Sequence, residues 1–334
     1  MSQISRRTFG HHLLQLGAAA FLRGVPVPAR KHISEEERIH LHQALGESIA
    51  AGWNLFHTAG NAQVLAVGQA ELVLIQQAHA LLYPQVRSIF YTAVYNLIGR
   101  AHHLREHYEE ALQAHMSAHI AALGAGDPLH VAQSLICQAD TYQALGQYAN
   151  AIQCIEEALR TLGHQDEEHV RSRAHLLACW ADNAMTMGEF TAAQHKLEAA
   201  EVYLDQIGPK EEFDRASWLQ LAGKRAIMAG EYKRAVPYLE EACAISPPHW
   251  LVRRAGILTP LAIAHARMGE RDLSVQIARQ AVPVLVALNA PMSNKHFADY
   301  LQQDLLGFFP RDEQIHTFVS ETQHQLPQIA ALIG

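Results

Sequence analysis

Histidine makes up 22 of the 334 residues, and four of these histidines stand at a spacing that could hold a metal. His103 and His107 lie four apart, as do His115 and His119. On a helix each pair shares one face. Two such pairs on neighbouring helices would offer the imidazole nitrogens that zinc takes. A hydrolytic zinc centre also needs a carboxylate at fixed spacing, and the HExxH pattern is absent. Cys137, Cys154, Cys179 and Cys243 form no CxxC pair, and none stands in a Cys/His context. There is no GxSxG, no phosphate-binding loop and no GxGxxG. The paired carboxylates Glu109-Glu110, Glu156-Glu157, Glu211-Glu212 and Glu240-Glu241 read as solvated helix faces. The expectation is no catalytic residue, no metal, no cofactor and no enzyme activity.

The bulk composition bounds the class. A chain 49% apolar and 18% charged has enough apolar side chain to fold. A net charge of −7 argues against holding nucleic acid across the whole surface. The compact basic groups Arg171-Ser172-Arg173 and Arg253-Arg254 are expected to pair with neighbouring Glu rather than with phosphate. No apolar run reaches membrane-spanning length without polar breaks. The four cysteines are expected as free, packed thiols in a reducing compartment, which places the chain in the cytoplasm.

The elements that must position these side chains are set by a repeat. Tyr148-x2-Ala151, Phe190-x2-Ala193 and Tyr232-x2-Ala235 each follow a Gly by two positions: Gly146, Gly188 and Gly230. Tyr108-x2-Ala111 and Arg271-x2-Ser274 are weaker copies. The skeleton recurs roughly every 40 residues from Tyr108 to Arg271, and self-similarity at such a period predicts stacked helical hairpins. Helix pairs are predicted at about 85–104 and 107–123, 129–145 and 148–162, 168–187 and 190–206, 213–229 and 232–245, and 249–268 and 271–287. The turn carries a Gly that ends the first helix, except at Arg105-Glu106. Residues 34–84 read as a degenerate first pair, helical over about 34–57 and 62–82, opened by the N-cap Ser34. Residues 85–290 are the repeats. Residues 291–334 read as caps, helical over 294–306 and 312–333.

Tyr148, Ala151, Ile155 and Ala158, and again Tyr232, Ala235, Leu239, Ala242 and Pro247, resemble the tetratricopeptide repeat. The resemblance covers about residues 85–287. Gly99 and Gly223 stand where that pattern wants Gly, with Ala139 and Ala181 as close substitutes. It implies an all-α, right-handed α-solenoid of about five to six hairpins with helical caps. It also implies that His102 and His115 are packed histidines, because the repeat buries those positions. The long period is similar to that of the sensor halves of bacterial transcription regulators, including peptide-pheromone receptors. No helix-turn-helix segment is found here.

In such an array the first helix of each hairpin lines the concave wall, which is expected to be free to hold another molecule. By the repeat register that wall carries Asn96, Arg100 and His103, then Gln133, Asp140 and Gln143. His175, Asp182 and Met185 follow, then Gln220 and Lys224. Mixed charge and amide groups suit a protein or peptide gripped through its main chain. The expected role is a regulatory scaffold or sensor module. Alternatives are the ligand-sensing half of a regulator without its DNA-binding domain, or an exported scaffold. The latter rests on residues 1–33, an apolar segment or linker. There Ser5-Arg6-Arg7-Thr8-Phe9 precedes the short apolar stretch Leu13–Leu22, as in a twin-arginine signal.

Overall fold

A computed structural model of the chain describes residues 33–58, 61–163, 166–210 and 213–333. The twin-arginine motif lies outside the described residues. The chain is a right-handed run of helical hairpins. The N-terminal pair is α1 (Glu35–Thr58) and α2 (Asn61–Gln77). Five repeat hairpins follow. They are α3 (Pro84–Leu104) with α4 (Tyr108–Ala125), α5 (Pro128–Ala144) with α6 (Tyr148–Thr161), and α7 (Glu167–Thr186) with α8 (Phe190–Glu201). Then come α9 (Arg215–Met228) with α10 (Tyr232–Ile245), and α11 (Leu251–Arg267) with α12 (Arg271–Leu288). The tail is α13 (Pro291–Asp299), a π-helical segment Tyr300–Leu306, α14 (Glu313–Gln325) and α15 (Pro327–Ile333).

Capping chemistry sets the starts. Ser34 and Glu37 form a reciprocal capping box. Each side chain accepts from the other's backbone N–H, at 3.2 and 2.8 Å. Asp127, Asp166, Asp214 and Asp312 cap α5, α7, α9 and α14 through their carboxylates. Pro84, Pro128 and Pro291 occupy first-turn positions, where the missing N–H costs nothing. Three predicted boundaries shift. The second N-terminal helix ends at Gln77 and turns before Tyr83. The helix expected to reach residue 206 stops at Glu201, and Leu204–Gln206 is a separate 3-10 turn. The tail breaks once more than expected, at Leu326-Pro327, where Pro disfavours a helical residue before it.

Each repeat turn closes in the same way. Gly146, Gly188, Gly230 and Gly269 have φ between 72° and 83°. The next N–H reaches back to the first helix, as from Gln147 to the Tyr142 carbonyl at 2.8 Å. At the first turn the left-handed residue is Glu106, with φ of 61°. Space is open around Gly230. Gly230→Val is therefore expected to cost about 1–2 kcal/mol through backbone strain alone. A denaturant titration of the purified variant checks this.

Within each hairpin, a small residue of the first helix meets a large one of the second at a fixed offset. Leu239 packs on Gly223 in this role, and Ile155 and Leu197 are buried in the same apolar clusters as Ala139 and Ala181. Each large side chain contributes about 1.5–3 kcal/mol of burial. In the first repeat the pair is Gly99 and His115. The histidine is fully buried and its Nδ1 lies 3.3 Å from Asn96 Oδ1.

The array curls until its ends meet. Helix α1 packs on α11, and α13 packs on α3. One apolar cluster joins Phe56, Leu97, Ala101 and Leu104 to Leu258, Ala262, Phe297 and Leu301. The concave wall is therefore bounded by the chain's own two ends, which corrects the expectation of an inner wall left wholly free. Repeat periodicity stops at residue 287 and carries no information about where the tail docks.

Candidate functional site

The first helices place a row of polar side chains on the inner wall, one set per repeat. Arg100 on α3 pairs with Asp140 on α5, Nη1 to Oδ2 at 2.6 Å, with both side chains 22% exposed. On the next turn of the row, Gln143 donates from Nε2 to Asp182 Oδ2 at 2.7 Å. Asp182 also receives Lys224 of α9, Nζ to Oδ1 at 2.7 Å. Lys224 is 43% exposed. The wall thus reads plus, minus, minus, plus across four repeats, with each charge answered by the adjoining repeat.

Burial by itself would raise the pKa of Asp140, but Arg100 overrules it and holds the carboxyl below its usual range. Two histidines flank this pair. His103 is pushed down to about 4 by burial, then by the nearby Arg100 charge, against the pull of Asp140. His175 is likewise pushed down to about 4 by burial and Arg100, with Asp140 opposing. Both are neutral near pH 7, so each offers one donor and one acceptor. The His103 Nδ1 lies 3.4 Å from Thr141 Oγ1, and the His175 ring stacks on Phe213 with centroids 5.1 Å apart. Cys179 on α7 donates weakly to Asp140 Oδ1 at 3.8 Å.

The structure brings together seven of the expected wall residues, Arg100, His103, Asp140, Gln143, His175, Asp182 and Lys224, with His103 and Asp182 buried beneath the row and not on its surface. Gln133 and Gln220 are half-buried, and Gln220 packs over Gly256. Asn96 is a correction. It is 5% exposed and turned toward His115, because it lies one helical turn before Gly99 on the interlocking face. Met185 is a second correction: at 1% exposure it belongs to the core between α7 and its neighbours. Reasoning from spacing missed Cys179. It also missed the pairing of Lys295 in the tail with Glu106 at the first repeat turn, beside His296. The single signal for it was the absence of Gly at Glu106.

The other candidate chemistries resolve locally. No cluster of three or more His, Cys, Asp or Glu side chains able to hold a metal occurs among the described residues. His115 lies in the core, and His119 Nδ1 sits 3.1 Å from Ser134 Oγ. Arg171 pairs with Glu167 at 2.5 Å and donates to the carbonyls of Gly208 and Phe213. Arg253 pairs with Asp214 at 2.9 Å and donates to the Lys210 carbonyl. Those basic groups tie inter-repeat loops to helices. No described helix is long and apolar enough to cross a membrane.

Helical hairpins of this period, interlocked small against large and turned at left-handed glycines, form an α-solenoid like that of tetratricopeptide-repeat proteins. Residues 132–161 match the family profile described as tetratricopeptide repeat. No curated protein sequence matches the chain. Among solved structures it is similar to a Rap protein complexed with competence and sporulation factor, with a TM-score of 0.56 and 14% identity. That match covers 87% of this chain and 94% of the other. The apo form of RapI gives a TM-score of 0.53 at 12% identity, covering 84% and 92%. Aspartyl phosphate phosphatase F from Bacillus subtilis gives 0.51 at 13% identity, covering 98% and 88%. At such identities the likeness is one of fold.

Proposed function

We propose that this protein is a regulatory binding module that holds a peptide or protein segment along the inner wall of its repeats. The observation that carries the reading is the row from Arg100 to Lys224. It combines a partly exposed concave surface with amides, neutral histidines and charges already balanced within the wall. A balanced wall adds little net charge to a ligand, so it favours main-chain hydrogen bonds over bulk electrostatics. The similar fold of a Rap protein solved in complex with competence and sporulation factor supports a binding role for a helical array of this kind. The reading makes the protein neither a nucleic-acid binder nor an enzyme.

Lys224→Glu combined with Gln220→Ala tests it. Lys224 is partly exposed and Gln220 half-buried, and the new glutamate would face Asp182. Wild-type protein coupled to resin should retain a partner from native-host extract that this variant loses, while both proteins still melt in one cooperative transition above the assay temperature. Equal retention by both proteins would remove the groove from the function. Asn96, being buried, is unsuitable for this test.

A further inference from the structure

The tail contributes side chains to the groove that belong to no repeat. Helix α13 lies against α3, from the far end of the array. Its apolar side is anchored, with Phe297 and Ala298 buried. Its other side carries Lys295, His296 and Asp299, all exposed. Lys295 Nζ lies 3.8 Å from Glu106 Oε1, at the turn of the first repeat. His296 lies within electrostatic reach of that turn and of Lys224 in the fourth repeat. Surrounding protein lowers its pKa first and Lys224 second, against Asp299 and Glu106, although its ring reaches solvent. The exposed His296 side chain thus feels charges from both the first and the fourth repeats.

Three features distinguish this contact from an ordinary helical cap. First, Glu106 takes the left-handed conformation that Gly takes at the other four repeat turns. A strained non-glycine residue kept at one turn of five marks a site where its side chain is used. Second, α13 runs directly into the π-helical segment Tyr300–Leu306. Such segments are mechanically irregular joints, frequent at functional sites. Tyr300, Leu301 and Leu305 anchor the joint in the core, and the Tyr300 hydroxyl bonds Ser274 Oγ at 2.8 Å. Third, Asn294 is buried with its Oδ1 lacking a donor. That unmade bond weakens the docking of α13 itself.

We propose that α13 is a clasp, hinged at the π segment, that closes one end of the groove by engaging Glu106 and swings aside to admit a partner. The clasp rests on the groove reading only for its purpose. Its existence is tested without any partner.

Charge reversal and hydrogen exchange read the clasp. Lys295→Glu and Glu106→Lys should each speed exchange of the Pro291–Asp299 amides roughly five-fold, the size expected for repulsion replacing a partly exposed ion pair. The double swap should return exchange to within about two-fold of wild type, since the pair is rebuilt with its polarity inverted. Tyr300–Leu306 should stay protected throughout, because the hinge is held by the core. In wild type, a zero-length carbodiimide should join Lys295 to Glu106 as an amide, located by peptide mass spectrometry. Unchanged exchange in the single variants overturns the clasp, as does a double swap that fails to restore protection or a missing cross-link. Loss of protection spreading through Tyr300–Leu306 also overturns it, since α13 would then be a structural cap. Because no partner enters these measurements, their failure is separate from failure of the capture experiment.

Discussion

Glu71→Gln should leave stability almost unchanged near pH 4 and raise it by about 3 kcal/mol near pH 8. Glu71 sits on α2 at the joint with α1 and α3, 3% exposed. Ser48 Oγ donates to one carboxyl oxygen at 3.1 Å, and the other has no partner. Gly52 and Leu97 close the site from α1 and α3. Burial pushes the carboxyl up to about 7 from an ordinary value of 4.5, with the Ser48 bond pulling weakly down. Below about 4.5 the folded and unfolded chains both hold the proton, and the charge penalty is absent. Between about 4.5 and 7 the unfolded chain releases the proton while the native chain keeps it, so stability falls as pH rises. Above about 7 the full penalty remains. Glutamine copies the protonated form at every pH and removes that fall. Urea titrations of both proteins at the two pH values measure the difference directly, and the depressed histidines cancel because they are common to both. An equal effect at both pH values would show that Glu71 is solvated or paired. Because α1 also packs on α11, loosening at this joint is expected to reach the seam where the array meets itself.

How much of this was legible in the chain depends on which force wrote it. Turns marked by Gly146, Gly188, Gly230 and Gly269 were readable because only glycine takes positive φ cheaply. The hairpins were readable because Ala151, Ile155 and their counterparts recur with the repeat. The wall row was readable as a set, since alternate positions of one helix separate by face. Its individual members were less so. Asn96 and Arg100 are four apart and share a helix face by spacing, yet one is buried against His115 while the other reaches Asp140. Burial there is decided by the second helix. Its large residue, His115, is polar and draws Asn96 inward. The clasp was not legible, because α13 contacts α3 only through the summed curvature of five hairpins, and no local pattern encodes that sum. Glu71 was invisible for a related reason. A charged residue amid Ala70 and Leu72 reads as a surface position until the folded neighbours are known.

The first repeat interlocks a glycine with a histidine where the second interlocks an alanine with an isoleucine, and this difference makes a double substitution informative. A Cβ placed on Gly99 would collide with His115 Cε1 and stand 2.5 Å from Nδ1. The ring is fully buried and bonded to Asn96, so it has nowhere to retreat. Gly99→Ala should therefore lose about 2–3 kcal/mol net, overpacking exceeding the helix preference of alanine for that site. At the equivalent place, Ala139 and Ile155 belong to one apolar cluster and both are fully buried. Gly99→Ala with His115→Ile rebuilds that pair, and also removes His115 Nε2, a buried nitrogen without a partner. The double variant should recover at least about 1.5 kcal/mol relative to Gly99→Ala, a coupling typical of residues in direct contact. Its cost is the Asn96 amide, which loses its ring partner. Denaturant midpoints for wild type, the two single variants and the double variant close the cycle. Strict additivity would mean that α3 and α4 part to admit the methyl group, and that the small-against-large register does not govern how the hairpin closes.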